Sequence, residues 1–194
     1  MLKAGDKVPK FELDSDTGKA LGPQSFPGKH VVVYFYPKDD TPGCTREAQA
    51  FTAHAKAFAK AGAVVLGVSK DSIAAHCKFR DKYKLAVPLL SDPDLKIHKA
   101  FGAYGEKVLY GKKTLGVIRS TFVVDPKGVV AKAYGSVKVD GHAEAVLAFV
   151  SGGDKAPAPA PAAKKAPAKA ATKVAAKPAN KAAAKKSAAA RAKK

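Results

Sequence analysis

A buried strand followed at once by a loop and a helix is the feature that most constrains the fold of this chain. Residues 31–36 (Val-Val-Val-Tyr-Phe-Tyr) are β-branched and aromatic, which is typical of a strand covered on both faces. The octapeptide 37–44 (Pro-Lys-Asp-Asp-Thr-Pro-Gly-Cys) comes next. Apolar side chains then recur at helical spacing, and the predicted helix ends near Gly62. The residues on its apolar face are Ala48, Phe51, Ala55 and Phe58.

This arrangement predicts that Cys44 lies in or near the first turn of the helix. The first N–H groups of a helix have no intrahelical partner, and the positive end of the helix dipole is there. Both effects favour the thiolate over the thiol, and the thiolate is the nucleophilic form of cysteine. The sequence therefore predicts a reactive cysteine, with an inert buried cysteine as the alternative.

The rest of residues 1–153 alternates between strand and helix patterns. An extended opening is predicted over residues 8–35, and the Asp-Pro-Lys-Gly turn at 125–128 is predicted to join two strands. The predicted strands are 64–68, 87–90, 116–124 and 128–134, and the predicted helices are 72–84, 92–101 and 142–150. This alternation favours an α/β layer fold. The element order resembles that of thioredoxin-like folds, which have a central mixed sheet with flanking helices.

Residues 154–194 differ in composition from everything before them. Residues 155–194 carry 12 Lys or Arg and no Asp or Glu, so they hold +12 of the formal net charge of +19. Val174 is their only large apolar side chain, which is too little to build a core. We therefore predict one domain over residues 1–153 and a disordered, basic tail over residues 154–194.

Composition also argues against several kinds of site. Two cysteines and five scattered histidines match no common zinc motif, so no metal or other cofactor is expected. No apolar run is long enough for a membrane helix, and the N-terminus has no apolar signal region. We therefore expect a cytoplasmic protein whose cysteines are kept reduced.

Six segments spaced along the chain follow the pattern of a known enzyme family. They are residues 2–6 (Leu-Lys-Ala-Gly-Asp), 34–38 (Tyr-Phe-Tyr-Pro-Lys), 41–45 (Thr-Pro-Gly-Cys-Thr), 67–71 (Gly-Val-Ser-Lys-Asp), 90–92 (Leu-Ser-Asp) and 116–125 (Gly-Val-Ile-Arg-Ser-Thr-Phe-Val-Val-Asp). Together they resemble the peroxiredoxins, which are thiol enzymes that reduce peroxides. The resemblance is closest to the bacterioferritin comigratory protein subfamily, also called PrxQ.

The resemblance implies roles for particular residues. Cys44 corresponds to the nucleophile, and Pro37 and Thr41 complete the Pro-x-x-x-Thr-x-x-Cys signature. The Thr41 hydroxyl is expected to donate to the sulfur or to a peroxide oxygen. Arg119 matches the family's arginine, whose rigid donor fork holds the thiolate and polarises the peroxide. Glu47 is either a supporting hydrogen-bond partner or an ordinary acid of the first turns.

A sulfenic acid on Cys44 must be returned to the thiol by a second thiol. Gln49 occupies the position of one family resolving cysteine, which excludes that variant. In a second family variant the resolving cysteine lies on the next helix. Cys77 lies on the predicted second helix, about one turn earlier than that cysteine. It therefore either resolves the sulfenic acid after local unfolding, or an external thiol does so. Thioredoxin or another thiol reductant is the implied partner, and a monomer is expected.

The tail resembles the Lys-Ala-Pro tails of linker histones and of lysine-rich nucleoid proteins. Spaced lysines bind nucleic-acid phosphates without sequence preference. The candidate contacts are Lys164, Lys165, Lys169, Lys173, Lys177, Lys181, Lys185, Lys186, Arg191, Lys193 and Lys194. DNA tethering, and hence association with the nucleoid, is the favoured interpretation, with RNA, other polyanions or a merely solubilising tail as alternatives. The competing view of the whole chain is a nucleoid-associated protein whose domain is a redox sensor.

Overall fold

Five strands in the order β5-β4-β3-β8-β9 form the central sheet of the computed structural model, which describes residues 1–109 and 112–152. The strands are β1 (Leu13–Asp14), β2 (Ala20–Leu21), β3 (His30–Phe35), β4 (Ala63–Ser69), β5 (Leu89–Ser91), β6 (Tyr104–Leu109), β7 (Lys112–Val117), β8 (Ser120–Val124) and β9 (Val130–Gly135). The helices are α1 (Pro42–Lys60), α2 (Ile73–Tyr83), α3 (Lys96–Phe101) and α4 (His142–Val150), with one 3-10 turn at Pro23–Ser25.

The sheet is mixed, and this confirms the predicted thioredoxin-like α/β fold. Strands β3, β4 and β5 are parallel, whereas β8 runs antiparallel to β3 and β9 antiparallel to β8. Strand β5 is an edge strand, which explains why Pro88 is tolerated just before it. The hairpins β1–β2 and β6–β7 form two separate ladders.

Alternation along β3 separates the core into two layers, as expected for a strand covered on both faces. Val32 and Tyr34 belong to a cluster with α1, α2 and α4, in which the Tyr34 ring stacks on Phe51 at 4.7 Å between centroids. Val33 and Phe35 belong to the other cluster, on the side of α3. Each fully buried side chain of this size contributes about 1.5–3 kcal/mol through removal of apolar surface from water.

Gly67 shows how closely the first layer is packed. It lies opposite Tyr34 in the β3–β4 ladder. A Cβ atom at this position would lie 2.6 Å from the Tyr34 hydroxyl and 2.9 Å from a methyl group of Leu89. Only a residue without a side chain therefore lets the tyrosine ring cross β4.

One sequence prediction about a strand and one about a helix need correction, and one hairpin was not predicted. The predicted strand 116–124 is wrong, because the chain breaks at Ile118 and Arg119 between β7 and β8. The β6–β7 hairpin was not predicted, since its sequence is polar and rich in glycine and lysine. Helix α3 begins at Lys96 rather than Asp92, because the Asp92 carboxylate accepts hydrogen bonds from the first N–H groups of the helix.

The predicted basic tail, with all of its candidate lysines and Arg191, lies outside the described residues. Among the helices that are described, none has the length and apolar character needed to cross a membrane.

Candidate active site

Cys44 occupies the first turn of α1, as the sequence predicts. Thr41 is the N-cap residue with extended backbone angles, Pro42 is the first helical residue, and Cys44 is the third. The first intrahelical bond runs from the Thr45 N–H to the Thr41 carbonyl at 2.8 Å. The N–H groups of Gly43 and Cys44 precede this bond and are therefore available as donors. The Cys44 thiol is free and only 1% exposed.

Arg119 is brought to Cys44 by the register of the sheet. Phe35, the last residue of β3, pairs with Ser120, so Arg119 lies at the end of β3 where the chain turns toward α1. Arg119 Nη2 donates to Cys44 Sγ at 3.2 Å. The break between β7 and β8, which the sequence did not predict, is thus the segment that presents the guanidinium.

Glu47 completes this contact from the next turn of α1. Arg119 Nη1 donates to Glu47 Oε2, and Glu47 is 1% exposed. The geometry therefore favours the supporting role over an ordinary first-turn acid. One guanidinium contacts the sulfur with one nitrogen and the carboxylate with another, which is a use of the planar fork that a lysine cannot reproduce.

Burial and charge oppose each other in this cluster. Burial lowers the pKa of Arg119, but the neighbouring Glu47 and Cys44 outweigh it and hold the pKa above the ordinary value, so the guanidinium is charged. Burial raises the pKa of Glu47 to about 7, against the lowering effect of Arg119. Arg119 therefore places a permanent positive charge at hydrogen-bond distance from the buried Cys44 sulfur.

Gly43 is a site residue that sequence reasoning missed. A Cβ atom added at Gly43 would lie 3.4 Å from Nη2 of Arg119. This is an ordinary van der Waals distance, so Gly43 lies directly beside the guanidinium. A glycine just inside a helix start, where it costs helix stability, was the signal available in the sequence.

Thr41 and Pro37 stand in the loop before the helix, as predicted, but the expected hydroxyl contact differs. The Thr41 hydroxyl donates to the Lys38 carbonyl at 3.1 Å rather than to sulfur. A hydroxyl has a single hydrogen, so Thr41 must rotate to donate to a peroxide. Pro37 is half-buried between β3 and this loop.

A buried hydrogen-bonded pair ties the loop to α2. His76 Nδ1 lies 2.7 Å from Asp39 Oδ2, and its Nε2 lies 3.2 Å from the Leu90 carbonyl oxygen. Both partners are acceptors, so only a ring protonated on both nitrogens donates to both. Tyr36 donates to the other Asp39 oxygen at 2.8 Å. Sequence reasoning assigned no chemistry to Asp39, and the only signal was a pair of adjacent acids, Asp39 and Asp40, in the loop before Cys44.

Cys77 lies on α2, as predicted, and faces the N-terminal hairpin. Its sulfur is 3.8 Å from the Asp16 carbonyl oxygen. The same carbonyl accepts a hydrogen bond from Arg80 Nη1 at 2.7 Å, and the Asp16 carboxylate pairs with Arg80. Cys77 is free and half-buried. Gln49, at the excluded resolving position, is exposed.

His142 packs behind the site at the start of α4. Its Nε2 accepts from, or donates to, the Thr121 hydroxyl at 2.8 Å, and its ring contacts Phe51. Burial and the nearby Arg119 lower the pKa of His142 to about 4, so the ring is neutral at pH 7. No group of three or more metal-ligating side chains occurs within residues 1–109 and 112–152.

Comparison with known proteins gives the same family over most of the chain. Residues 4–133 match the AhpC/TSA family model. The chain is 46% identical over 146 residues to a putative peroxiredoxin bcp of Coxiella burnetii, which covers 75% of this chain and 97% of that protein. It is 39% identical over 146 residues to peroxiredoxin Bcp of Escherichia coli, covering 75% and 94%. A structure of Xanthomonas campestris peroxiredoxin Q aligns with a TM-score of 0.72 at 44% identity, covering 77% and 97%.

These matches, on a thioredoxin-like fold with an arginine at the cysteine sulfur, define the class as a peroxiredoxin, a thiol-dependent peroxidase. Within that class the chain belongs to the AhpC/TSA family, among its Bcp/PrxQ members.

Proposed function

We propose that this peroxidase reduces hydrogen peroxide and organic hydroperoxides at Cys44, with Arg119 and Thr41 as activating groups. The Cys44 thiolate attacks one peroxide oxygen, the O–O bond breaks, and the leaving hydroxide or alkoxide takes up a proton. The products are a sulfenic acid and water or an alcohol. The contact from Arg119 Nη2 to Cys44 Sγ carries this assignment, because it supplies positive charge where negative charge spreads during attack.

The helix start supplies the remaining donors in this proposal. The N–H groups of Gly43 and Cys44 have no intrahelical acceptor and can donate to the substrate. Thr41 can rotate its hydroxyl from the Lys38 carbonyl to the substrate. Pro37 holds the loop between the end of β3 and Thr41. Peroxide consumption with a dithiol reductant tests the assignment, since Cys44→Ser should abolish turnover while Cys77→Ser keeps the first oxidation step. Undiminished turnover in Cys44→Ser would contradict it.

We also propose that Cys77 resolves the sulfenic acid. Its thiolate attacks the oxidised sulfur, the S–O bond breaks, and the leaving hydroxide takes up a proton to form water. Thioredoxin or another thiol reductant then reduces the resulting Cys44–Cys77 disulfide. Cys77 faces the Asp16 carbonyl, so α2 must leave the domain surface before the two sulfurs meet. Intact mass after one equivalent of peroxide separates the outcomes: a loss of about 2 Da marks a disulfide and a gain of about 16 Da a sulfenic acid.

We propose that the tail binds nucleic acid without sequence preference and so holds the enzyme near the nucleoid. We also propose that the enzyme is cytoplasmic and monomeric. The Coxiella burnetii relative is matched over 97% of its length by 146 residues of this chain, so the basic tail is additional to the shared domain. If all 12 charges engaged duplex DNA, the log–log salt slope would be about −11. Removing residues 154–194 should abolish retardation of duplex DNA at low salt and leave peroxidase turnover unchanged. Equal retardation without the tail would refute the proposal.

A further inference from the structure

A basic cavity lies at the end of the sheet opposite Cys44. It has a volume of about 410 Å³ and is formed by the segment before β1, the 3-10 turn and the β8–β9 turn. Lys29 precedes the first residue of β3, whereas Cys44 follows its last residue. Six strand residues span about 20 Å, so the cavity and the thiol are separated by the length of the strand.

Four lysines surround this cavity, and only one acid opposes their positive charge. Lys7, Lys10, Lys29 and Lys127 line it and are all exposed. Across the described parts of the chain, none of the four forms an ion pair. Asp125 is the only acid in the lining, and its Oδ1 already accepts N–H bonds from Lys127 and Val129. The cavity therefore carries an excess positive charge that an anion would satisfy.

The rest of the lining is apolar and held in place by the backbone. Val8 and Phe26 pack against the core, and three prolines add further apolar surface. The Val8 N–H donates to the Gly128 carbonyl at 2.9 Å, and the Lys29 N–H donates to the Phe26 carbonyl at 3.3 Å. The lysines thus project from a fixed frame around an apolar surface, rather than from a loose loop.

We propose that this cavity binds a phosphorylated nucleoside, with the phosphate among the lysines and the base or sugar on the apolar surface around Phe26. The volume lies within the range of small-molecule sites, and the combination of several ammonium groups with flat apolar side chains suits a ligand with one anionic and one planar part. The nucleoside phosphate is either a free nucleotide or one unit of a single-stranded nucleic acid. Because the site lies away from Cys44, its occupant does not obstruct the peroxide.

The test uses the full chain and amide chemical shifts, which separate the cavity from the tail. Adenosine monophosphate should shift the amide resonances of Phe26 and Gly128. Titration of the same resonances with inorganic phosphate should give an affinity at least tenfold lower. Lys10→Gln, Lys29→Gln and Lys127→Gln combined should weaken nucleotide binding at least tenfold without changing peroxidase turnover. The matched control combines Lys56→Gln, Lys70→Gln and Lys138→Gln, which removes the same charge from exposed lysines outside the cavity and should leave binding unchanged.

The two sources of the ligand are compared with a short single-stranded oligonucleotide. Tighter binding than the mononucleotide at the Phe26 and Gly128 amides assigns the site to a nucleic-acid strand, and equal or weaker binding assigns it to a free nucleotide. Absence of shifts at these amides overturns the proposal. Equal affinity for phosphate and nucleotide, or equal loss in the control variant, overturns it as well, because a diffuse positive surface would then explain the binding.

Discussion

Replacing His76 with glutamine tests whether opening of α2 limits disulfide formation between Cys44 and Cys77. His76 is fully buried and faces Asp39 in the loop that leads to Cys44. It immediately precedes Cys77, so the helix cannot release this thiol without separating His76 from Asp39. A glutamine is expected to keep one of the two hydrogen bonds of the ring and to lose the other.

The expected size of the effect follows from the buried pair. Leaving a buried polar group without its hydrogen-bond partner costs about 1–3 kcal/mol. A value of about 2 kcal/mol applies here, since Tyr36 still donates to the Asp39 carboxyl group. A loss of about 2 kcal/mol from the closed state raises the population of the open state roughly thirtyfold. The disulfide should therefore form about ten to a hundred times faster, until formation of the sulfenic acid becomes limiting.

The assay follows the fraction of disulfide by intact mass after rapid mixing with one equivalent of peroxide and acid quenching. Hydrogen exchange of the α2 amides measures opening independently. The matched control is Val130→Ala in β9, at the opposite edge of the sheet from β5, which loses roughly 2 kcal/mol from two buried methyl groups.

Two results would refute the reasoning. If α2 exchanges faster in His76→Gln while the disulfide forms at the wild-type rate, opening of α2 does not limit the reaction. If Val130→Ala accelerates the disulfide as much as His76→Gln does, general destabilisation explains the effect. A wild type that forms no intramolecular disulfide removes Cys77 from the mechanism but leaves the role of Cys44 intact.

Further expectations concern the charged groups around the thiol and one glycine of the core. Arg119→Lys should lower kcat/KM for hydrogen peroxide by about 10²–10³ in steady-state assays, because the ammonium cannot contact Cys44 and Glu47 together. A loss of less than tenfold would show that the double contact of the guanidinium is not needed. The pKa of Glu47 is raised to about 7, so the folded state holds a proton that the unfolded state releases, and wild-type stability should fall as pH rises from about 4.5 to 7. Melting of Glu47→Gln over this range should lack that fall. The pKa of His142 is lowered to about 4, so the unfolded state binds the proton first, and about 2–4 kcal/mol of stability should be lost as pH falls from 6.5 to 4. Chemical denaturation of His142→Gln should not show this loss. Gly67→Ala should lower the melting temperature without a change in the kinetics of the first oxidation step, because the new methyl group clashes with the tyrosine ring beneath it.

The segment from β3 to α1 could be predicted because its signals are local. The strand is marked by six consecutive apolar residues, and the helix start by Pro42 in a position where a missing N–H costs nothing. Cys44 was therefore placed correctly in the first turn. The family resemblance identified Arg119, and the register of β8 explains how it reaches the sulfur.

The features that sequence reasoning missed depend on contacts between distant segments. Residues 116–124 have a continuous strand composition, so nothing local marks the break that turns Arg119 toward the helix. The partners His76 and Asp39 lie 37 residues apart, and only the parallel pairing of β3, β4 and β5 brings their segments together. The Thr41 hydroxyl was predicted to donate to the sulfur or to a peroxide oxygen, whereas in the structure it donates to the nearby Lys38 carbonyl, which is a stronger acceptor than a thiol.

Oxidation of Cys44 directly changes only one of the two contacts that hold the cysteines apart. In the reduced site Arg119 donates to both the Cys44 sulfur and Glu47, so oxidation of the sulfur alters the first of these contacts. The hydrogen bond between His76 and Asp39 does not involve the sulfur and still holds α2 closed. Under the proposed resolving role of Cys77, the sulfenic acid therefore persists until α2 opens. Its lifetime, during which a second peroxide can oxidise it further, then depends on a buried hydrogen bond that never contacts the substrate.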